Sequence, residues 1–208
     1  MKTITAIKTQ NRRRGSERAG IYLDGRFAFS MERDMVVKRG LCLEKTLSDS
    51  EVKELALAEV SGKCYNAAIR LLRYRPRSEA EIRIRLSQRF DREIIEGVIL
   101  QLRERQMIDD TAFALYWIEQ REYFSPRGKR LLKVELARKG IDSEIIDEVL
   151  DGIDDNEYAY RAAQKKGQSL IKEDYETFKR KLGSFLLRRG FGYETVSSTS
   201  EHLWQELR

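Results

Sequence analysis

Residues 93–99 of the chain read EIIEGVI, and residues 144–150 read EIIDEVL. Ahead of these copies, Arg75-Pro76-Arg77 corresponds to Ser125-Pro126-Arg127 at an offset of fifty positions. The same period separates three leucines, which are Leu86, Leu136 and Leu186. Self-similarity at a fixed period of this length is typical of stacked helical repeats. Because such an array presents a long surface, the sequence predicts a protein that binds an extended partner.

The composition suits a helical, well-solvated protein. Of the 208 residues, 36% are charged and 41% are hydrophobic, and the net charge is +6. This moderate basic excess permits a nucleic-acid or an acidic protein partner without requiring either. No apolar run is long enough to cross a bilayer, and the N-terminus has no apolar leader segment. We therefore expect a cytoplasmic protein without membrane association.

Residues 1–47 differ from the rest of the chain. Residues 3–7 alternate like a strand, and residues 21–29 form a hairpin pattern with Asp24-Gly25 at its turn. Between them, residues 11–16 have the composition of an exposed basic loop. The sequence predicts a small sheet of about three strands, which is too small to be stable without packing on the following helices.

From Ser48 onward the pattern is helical. Ser48 with Glu51 and Ser78 with Glu81 have the spacing of capping boxes. The first predicts a helix that begins at residue 48, followed by a second helix near 61–73. Both prolines of the chain are expected to mark helix starts, with Ser125-Pro126 as a cap and a first helical residue. Two glycines are expected to end helices, Gly140 and Gly190.

The predicted fold is mainly α. It consists of tandem three-helix repeats, similar to helix-turn-helix units, in an elongated curved array with a small N-terminal β-hairpin or sheet. The expected divisions are a β-rich region at 1–47, a leading helix with repeat 1 at 48–108, repeat 2 at 109–153 and repeat 3 at 154–208. Four aromatic side chains are expected to be structural, because they fall on the buried faces of the repeats: Phe113, Trp117, Phe178 and Phe185.

The residues give no support to an enzyme. The pairs Asp109-Asp110 and Asp154-Asp155 stand just before helical runs, where an aspartate caps exposed N–H groups, and their repetition favours this role over a two-metal site. Cys42, Cys64 and the single His202 match no zinc spacing, so we expect two reduced, buried thiols, no metal and no cofactor. Neither a phosphate-binding glycine loop nor a nucleophilic triad is present in the sequence.

Charge is the more informative signal. Residues 70–92 and residues 121–139 each carry a net charge of +5, whereas residues 142–157 contain eight acidic residues and no cation. Cations near a helix N-terminus are disfavoured by the macrodipole, and an anionic partner is one compensation. A solvated charged face is the other interpretation. The candidate residues for binding such an anionic partner are Arg73, Arg75, Arg77, Arg127, Lys129 and Arg130.

Several separated motifs resemble the bacterial RecX family of regulatory proteins over residues 60–205. They are the segment 76–81, the junction Ile108-Asp109-Asp110, the segment 137–141 and the terminal Arg188-Arg189-Gly190-Phe191. The resemblance implies a non-enzymatic regulator that binds the filament of the RecA recombinase on DNA. It further implies inhibition of ATP hydrolysis, strand exchange and coprotease action, and hence a role in recombination, DNA repair and the SOS response. Residues 87–90 lack the glycine that the other two repeats carry at this place.

A monomer that binds the RecA filament, with direct DNA contact left open, is thus the leading hypothesis. The alternative is a stand-alone DNA-binding protein of the helix-turn-helix type. Such modules read bases with a polar or basic recognition helix. The third helices, at 91–104 and 142–151, are acidic or mixed in charge and would repel a DNA groove.

Overall fold

The computed structural model describes residues 1–10 and 18–208, so the basic loop expected at 11–16 lies outside the described residues. The described part is mainly helical, as predicted, with four strands and ten helices. The strands are β1 Lys2–Gln10, β2 Arg18–Leu23, β3 Arg26–Glu32 and β4 Thr46–Leu47. The helices are α1 Arg33–Lys38, α2 Asp49–Leu72, α3 Glu79–Leu86, α4 Arg92–Glu104, α5 Asp110–Phe124, α6 Lys129–Arg138, α7 Ser143–Asp151, α8 Asp155–Ser169, α9 Tyr175–Arg188 and α10 Tyr193–Glu206.

The chain divides into two compact units. The first comprises Met1–Arg70 and Leu86–Leu100, and the second comprises Leu71–Arg85 and Gln101–Arg208. Below, repeat 1 denotes the end of α2 with α3 and α4, repeat 2 denotes α5 to α7, and repeat 3 denotes α8 to α10.

An antiparallel sheet with strand order β3-β2-β1-β4 forms the N-terminal part of the first unit. The β2–β3 hairpin turns at Asp24 and Gly25, whose φ angles of 49° and 78° are those of a turn that matches the strand twist, which confirms the predicted hairpin. The inner face of the sheet buries Ile4, Ile21 and Phe29 together with residues of α1 and α2. This sheet thus obtains its core from the helices that follow it.

A single helix, α2, replaces the two helices expected, one beginning at residue 48 and the other near 61–73. Its start is the predicted capping box, since the Ser48 hydroxyl accepts from the Glu51 N–H at 3.2 Å and the Glu51 carboxylate accepts from the Ser48 N–H at 2.7 Å. The expected break was wrong because Gly62 alone does not end a helix. It costs about 1 kcal/mol relative to alanine, and burial of Cys64 and Ala68 on the next turns offsets this cost.

The two thiols lie in different environments. Cys64 is buried, and its burial raises the pKa of the thiol. Cys42 is exposed, so the expectation of two buried thiols was wrong for this residue. It lies between α1 and β4, where neighbouring Leu41 rather than Cys42 fills the core.

Periodic leucines and aromatics form the cores of the repeats. Leu86, Leu136 and Leu186 are 2%, 0% and 0% exposed. In repeat 2, Phe113 and Leu132 belong to one buried cluster, and the half-buried Trp117 packs against it. In repeat 3, Phe178 is fully buried and the half-buried Phe185 packs on the same cluster, as do several residues of α8 and α10. The structural role expected for these aromatics follows from their place in the two cores.

The prolines do not mark the first helical residues. Both α3 and α6 begin three residues later, at Glu79 and Lys129. The start of α3 agrees with the predicted cap at Ser78, whose hydroxyl accepts from the Glu81 N–H at 3.1 Å, whereas Ser125 ends α5 instead of capping α6. The start of α6 expected at Pro126 was wrong because the extended segment after this proline makes a tertiary contact, in which the Gly128 N–H donates to the carbonyl of Arg189 at 2.9 Å. Proline also biases its preceding residue towards extended backbone.

The helix ends follow the glycines where glycines are present. Gly140 and Gly190 have φ angles of 76° and 89°, which favour glycine, and each ends the middle helix of its repeat as predicted. In repeat 1, residues 87–90 contain no residue with positive φ. Here the N–H groups of Arg89 and Phe90 both donate to the Leu86 carbonyl, so α3 ends in a tight turn without the left-handed residue.

Candidate interaction surface

The aspartates of both pairs cap helix N-termini, and the two members of a pair cap different helices. Asp109 caps its own helix α5, accepting from the N–H groups of Thr111 and Ala112. Asp110 accepts from the N–H of Glu79 at 2.9 Å and so caps α3 of the preceding repeat. Capping was predicted for both aspartates. The reach of the second one across the junction between repeats was not, since it depends on how the helices stack.

The same arrangement recurs at the junction of repeats 2 and 3. Asp154 accepts from the N–H groups of Asn156 and Glu157 in its own helix α8. Asp155 accepts from the N–H of Lys129 at 2.9 Å, at the start of α6. Glu79 and Lys129 are fifty positions apart, so the two junctions are copies in structure as well as in sequence.

The left-handed glycines complete both junctions. A Cβ atom on Gly140 would overlap the Cβ of Ala80, and a Cβ on Gly190 would overlap the Cβ of Leu131. Beside the first contact, the Ser78 hydroxyl donates to the carbonyl of Lys139 at 2.6 Å. Each middle helix therefore ends by packing against the first turn of the middle helix in the preceding repeat, at a distance that only glycine permits.

The last repeat begins its middle helix without help from a further repeat. The Asp174 carboxylate accepts from the N–H of Thr177 at 3.0 Å and caps α9 locally. By contrast, α6 has Gly128 at its N-cap and no side-chain cap of its own. The middle helix of repeat 3 thus has its own cap, α6 is capped by Asp155 of the next repeat, and α3 has both its own Ser78 and Asp110 of the next repeat.

In repeat 1, two of the three candidate arginines are held inside the second unit. The guanidinium of Arg75 donates to both carboxylate oxygens of Glu81 at 2.9 and 3.0 Å, and Lys139 Nζ lies 2.6 Å from the same carboxylate. Burial raises the pKa of Glu81, but these hydrogen bonds outweigh it and lower the pKa to about 2. Arg77 Nε donates to the carbonyl of Leu71 at 3.1 Å.

The half-buried carboxylate of Glu135 is the common partner of several side chains in repeat 2. It contacts the guanidinium of Arg127, and it accepts from Arg121 Nε and Trp117 Nε1 at 2.9 Å each. Burial and the neighbouring guanidinium groups of Arg121 and Arg189 lower the pKa of Arg127. The guanidinium groups of Arg121 and Arg127 thus share a single carboxylate, and the local charge is positive.

Two of the six candidate residues remain free to meet a partner. Arg73 and Arg130 are exposed and have no bonded partner within residues 1–10 and 18–208. Lys129 Nζ donates to the carbonyl of Asp151 at 3.3 Å, which leaves its charge unpaired by a carboxylate. The structure places Arg73, Arg75 and Arg77 before α3, and Arg127, Lys129 and Arg130 around the start of α6. Adjacent cations in sequence therefore have different environments.

Exposed aromatic side chains stand beside these cations, at positions that were not predicted although they recur at the fifty-residue offset. Tyr74 is 85% exposed and Phe124 is 74% exposed, and each precedes a proline by two residues, fifty positions apart. Tyr123, at 78% exposure, lies edge-on to Phe124 with ring centroids 4.7 Å apart. Large apolar side chains left exposed at equivalent places indicate a contact surface, since single repeats do not need them for packing.

A cleft of about 590 Å³ lies within the second unit, beside Phe124. It is formed by the end of α5, the outer face of α8 and the end of α9. Residues that line it include Tyr123, Phe124, Pro126, Lys165, Phe185 and Arg189.

Two classes of site are not found in the described part of the chain. None of its helices is long and apolar enough to cross a membrane. Over the same residues, no group of three or more histidine, cysteine, aspartate or glutamate side chains could hold a metal ion.

Comparison with known proteins matches the chain along almost its whole length. Family models match residues 2–48 as the RecX N-terminal domain, and residues 64–102, 109–150 and 154–199 as the first, second and third RecX three-helix domains. The regulatory protein RecX of Clostridium botulinum (strain Alaska E43 / Type E3) is 31% identical over 94% of this chain and 93% of its own. That of Bacillus subtilis (strain 168) is 30% identical over 99% of this chain and 79% of its own.

Solved structures show the same architecture. A crystal structure of a regulatory protein RecX superposes with a TM-score of 0.73 at 24% identity, covering 97% of this chain and all of the other, and this similarity concerns the fold. The crystal structure of RecX from Lactobacillus salivarius gives a TM-score of 0.63 at 27% identity, over 70% of this chain and 97% of the other. With all four of its parts matched in order, the chain belongs to the RecX family of regulatory proteins.

Proposed function

We propose that this protein binds the filament that the RecA recombinase forms on DNA and dampens its activities. It acts as a monomer in the cytoplasm, without catalysis, and inhibits ATP hydrolysis, strand exchange and coprotease action in recombination, DNA repair and the SOS response. Its parts are a sheet region at 1–47, a leading helix with repeat 1 at 48–108, repeat 2 at 109–153 and repeat 3 at 154–208. The observation that carries the proposal is family membership over nearly the whole chain.

The difference between the surfaces of the repeats supports one composite partner. The junctions are copies, but α6 opens on Lys129 and Arg130, whereas α3 opens on Glu79 and Ala80. The last helix of repeat 2, α7, carries no cation. A protein that read a repeated ligand, one unit per repeat, would present the same chemistry each time. A filament of protein on DNA offers acidic, basic and apolar surfaces together.

Within this proposal the six candidate cations have two roles. Arg73, Lys129 and Arg130 meet anionic groups of the filament, because no carboxylate of the described chain neutralises them. Arg75 and Arg127 maintain the surface by holding Glu81 and Glu135. Arg77 fixes the turn before α3 through its bond to Leu71. Charges of the first kind steer association and respond to salt.

The deciding experiment combines filament sedimentation with an ATPase assay. RecA is assembled on single-stranded DNA with ATP, the protein is added, and co-pelleting and ATP hydrolysis are measured at low and high salt. We expect co-pelleting and a lower rate of hydrolysis, both weakened by salt. If the protein stays in the supernatant at low salt and the rate is unchanged, the proposal is wrong.

A DNA-only arm separates this proposal from a stand-alone DNA-binding protein. In a gel-shift titration of duplex DNA without RecA, the alternative predicts tight binding that falls steeply with salt. The proposal expects binding to the RecA filament to be much tighter than binding to the same DNA alone. The charge of α7, with Glu144, Asp147, Glu148 and Asp151 on a short helix, argues against insertion of that helix into a groove.

A further inference from the structure

The cleft between α5, α8 and α9 contains an arginine that has no counter-ion among the described residues. Arg189 Nη1 donates to the hydroxyl of Ser125 at 2.9 Å and to the carbonyl of Pro126 at 3.1 Å. Its guanidinium carbon lies 4.5 Å from the centre of the Phe185 ring. No carboxylate in the described part of the chain pairs with it.

The environment of Arg189 destabilises its charged form in the free protein. Burial lowers the pKa of Arg189, and no neighbouring acid compensates. A partly desolvated charge without an opposite charge is unfavourable, and an incoming anion would remove this penalty. The guanidinium plane is already fixed by two hydrogen bonds and a ring contact, so little side-chain entropy is lost when it binds a planar carboxylate.

The other charges around the cleft leave a positive excess. Lys165 and Lys166 line it, and their ammonium groups have no bonded partner among the described residues. The one lining carboxylate, Glu122, is already engaged, because Arg161 Nη1 lies 2.5 Å from it and the Tyr158 hydroxyl donates to it at 2.8 Å.

The walls of the cleft are apolar and aromatic. Phe185 lines it beside Arg189, and Pro126 lies next in chain to the serine that holds Arg189. Tyr123 and Phe124 stand at its edge with most of their surface exposed. Aromatic side chains beside an arginine are the residue types that dominate binding energy in protein–protein interfaces.

We propose that this cleft docks a short acidic segment of a partner protein. A carboxylate of the segment meets Arg189 and Lys165, and an adjacent apolar side chain packs on Phe124 and Phe185. A volume of about 590 Å³ accommodates a few side chains of that kind. That the segment belongs to the filament protein rests on the proposed function, whereas the acidic and apolar chemistry rests on the cleft alone.

Charge placement favours a peptide over a strand of nucleic acid. A nucleic-acid strand carries a phosphate at every nucleotide. Proteins that bind such a strand without sequence preference place a continuous row of cations along its path. Here Glu122 interrupts the cations at the cleft. A peptide can carry carboxylates at the positions that face Arg189 and the lysines, and uncharged side chains elsewhere.

The test uses the full-length protein and labelled probes in fluorescence anisotropy. The first probe is a peptide that alternates glutamate with leucine and phenylalanine, the second is the same peptide with glutamine for glutamate, and the third is oligothymidylate. We expect the acidic peptide to bind about tenfold or more tightly than the glutamine peptide. The double variant Phe124→Ala/Lys165→Glu should weaken acidic-peptide binding by about tenfold or more and leave oligothymidylate binding unchanged.

The matched control is Tyr193→Ala/Lys172→Glu, which removes an aromatic side chain of similar exposure and reverses an exposed lysine, both outside the cleft. It should leave acidic-peptide binding as in the wild type. Equal binding of the two peptides, or equal loss in both double variants, would overturn the inference. Loss of oligothymidylate binding in the Phe124→Ala/Lys165→Glu variant alone would assign the cleft to nucleic acid instead. Acidic-peptide binding through the cleft without RecA binding would retain the cleft and remove the proposed function.

Discussion

The carboxylate of Asp155 accepts a hydrogen bond of 2.9 Å from the backbone N–H of Lys129. This bond joins the first helix of repeat 3 to the first turn of the middle helix in repeat 2. Asp110 and Glu79 form the same bond between repeats 2 and 1. The first N–H groups of a helix have no partner within the helix, so a repeat that caps its predecessor stabilises both the helix and the stacking.

Removal of the Asp155 carboxylate should therefore weaken the junction of repeats 2 and 3. We expect Asp155→Ala to lower the free energy of unfolding by about 1 kcal/mol, and Asp155→Asn to lose less, because asparagine also accepts from a helix N–H. Urea denaturation measures both. The control is Asp151→Ala, which removes an exposed carboxylate of α7 and should change stability by less than about 0.5 kcal/mol. Equal losses in Asp155→Ala and Asp151→Ala would show that the cap is unimportant.

Glycine at position 140 should be needed for stacking as well as for the turn. Gly140→Ala places a Cβ against Ala80 and requires alanine at a φ of 76°. The steric and backbone costs together predict a loss of about 2–4 kcal/mol in unfolding free energy. Gly62→Ala serves as the control, because Gly62 lies inside α2 with open space around it and alanine is the better helix former. Thermal denaturation should show opposite shifts, and a neutral Gly140→Ala would contradict the close contact.

The carboxylate of Glu81 should give the protein an acid-sensitive contribution to stability. Its pKa is about 2 in the folded chain, against an ordinary value of 4.5. Because the folded pKa is lowered, this contribution is fully present above pH 4.5 and is lost as the pH falls towards 2. We expect Glu81→Gln to cost about 1–2 kcal/mol near neutral pH and almost nothing near pH 2.

Urea denaturation of wild type and Glu81→Gln across this pH range measures the difference between them, which cancels the titration of all other groups. Glu119→Gln is a suitable control, since Glu119 is exposed and has no bonded partner within the described residues. A difference between wild type and Glu81→Gln that does not change with pH would mean that Arg75 and Lys139 do not stabilise the ionised carboxylate.

Replacing an exposed candidate cation should affect binding, whereas replacing a paired one should affect stability. We expect Arg73→Glu/Arg130→Glu to weaken binding to the RecA filament with little change in melting temperature, because both side chains are exposed and have no bonded partner in residues 1–10 and 18–208. Arg127→Ala should instead lower stability by about 1–3 kcal/mol, since it takes a partner from the half-buried Glu135. Co-sedimentation and thermal denaturation of each variant distinguish these outcomes.

The control for the binding measurement is Arg180→Glu, a charge reversal in α9 at another exposed arginine that has no bonded partner in the described part of the chain. Its filament binding should resemble that of the wild type. If Arg180→Glu weakens binding as much as the double reversal does, overall charge rather than the placement of Arg73 and Arg130 governs the interaction.

Much of the architecture could be predicted because it depends on local patterns. Each predicted feature depends on residues that are close together in the chain. This holds for the helices of each repeat, the hairpin at Asp24-Gly25 and the helix ends at Gly140 and Gly190. Leu136 and Leu186 are buried because each belongs to the apolar stripe of its own helix. The break expected near Gly62 failed for a local reason as well, since a lone glycine lowers helix propensity without ending a helix.

The candidate surface was harder to predict, because the fate of a charge depends on residues far away in the chain. Arg75 pairs with the carboxylate of Glu81, which also binds Lys139, 58 positions further along the chain. Arg73, two residues before Arg75, has no bonded partner among the described residues. Helix α6 begins three residues after Pro126 because contacts with the next repeat fix its start.

The sequence alone determined the three-helix repeats and the apolar helix faces that form their cores, since helical periodicity and capping act within a few residues. Only the tertiary structure decided which aspartate caps which helix, which arginines are neutralised and where aromatic side chains remain exposed. These properties arise when one repeat stacks on the next, because stacking brings together groups that no short-range pattern connects. Asp155 and Lys129, 26 positions apart in the chain and 2.9 Å apart in the structure, are joined in this way.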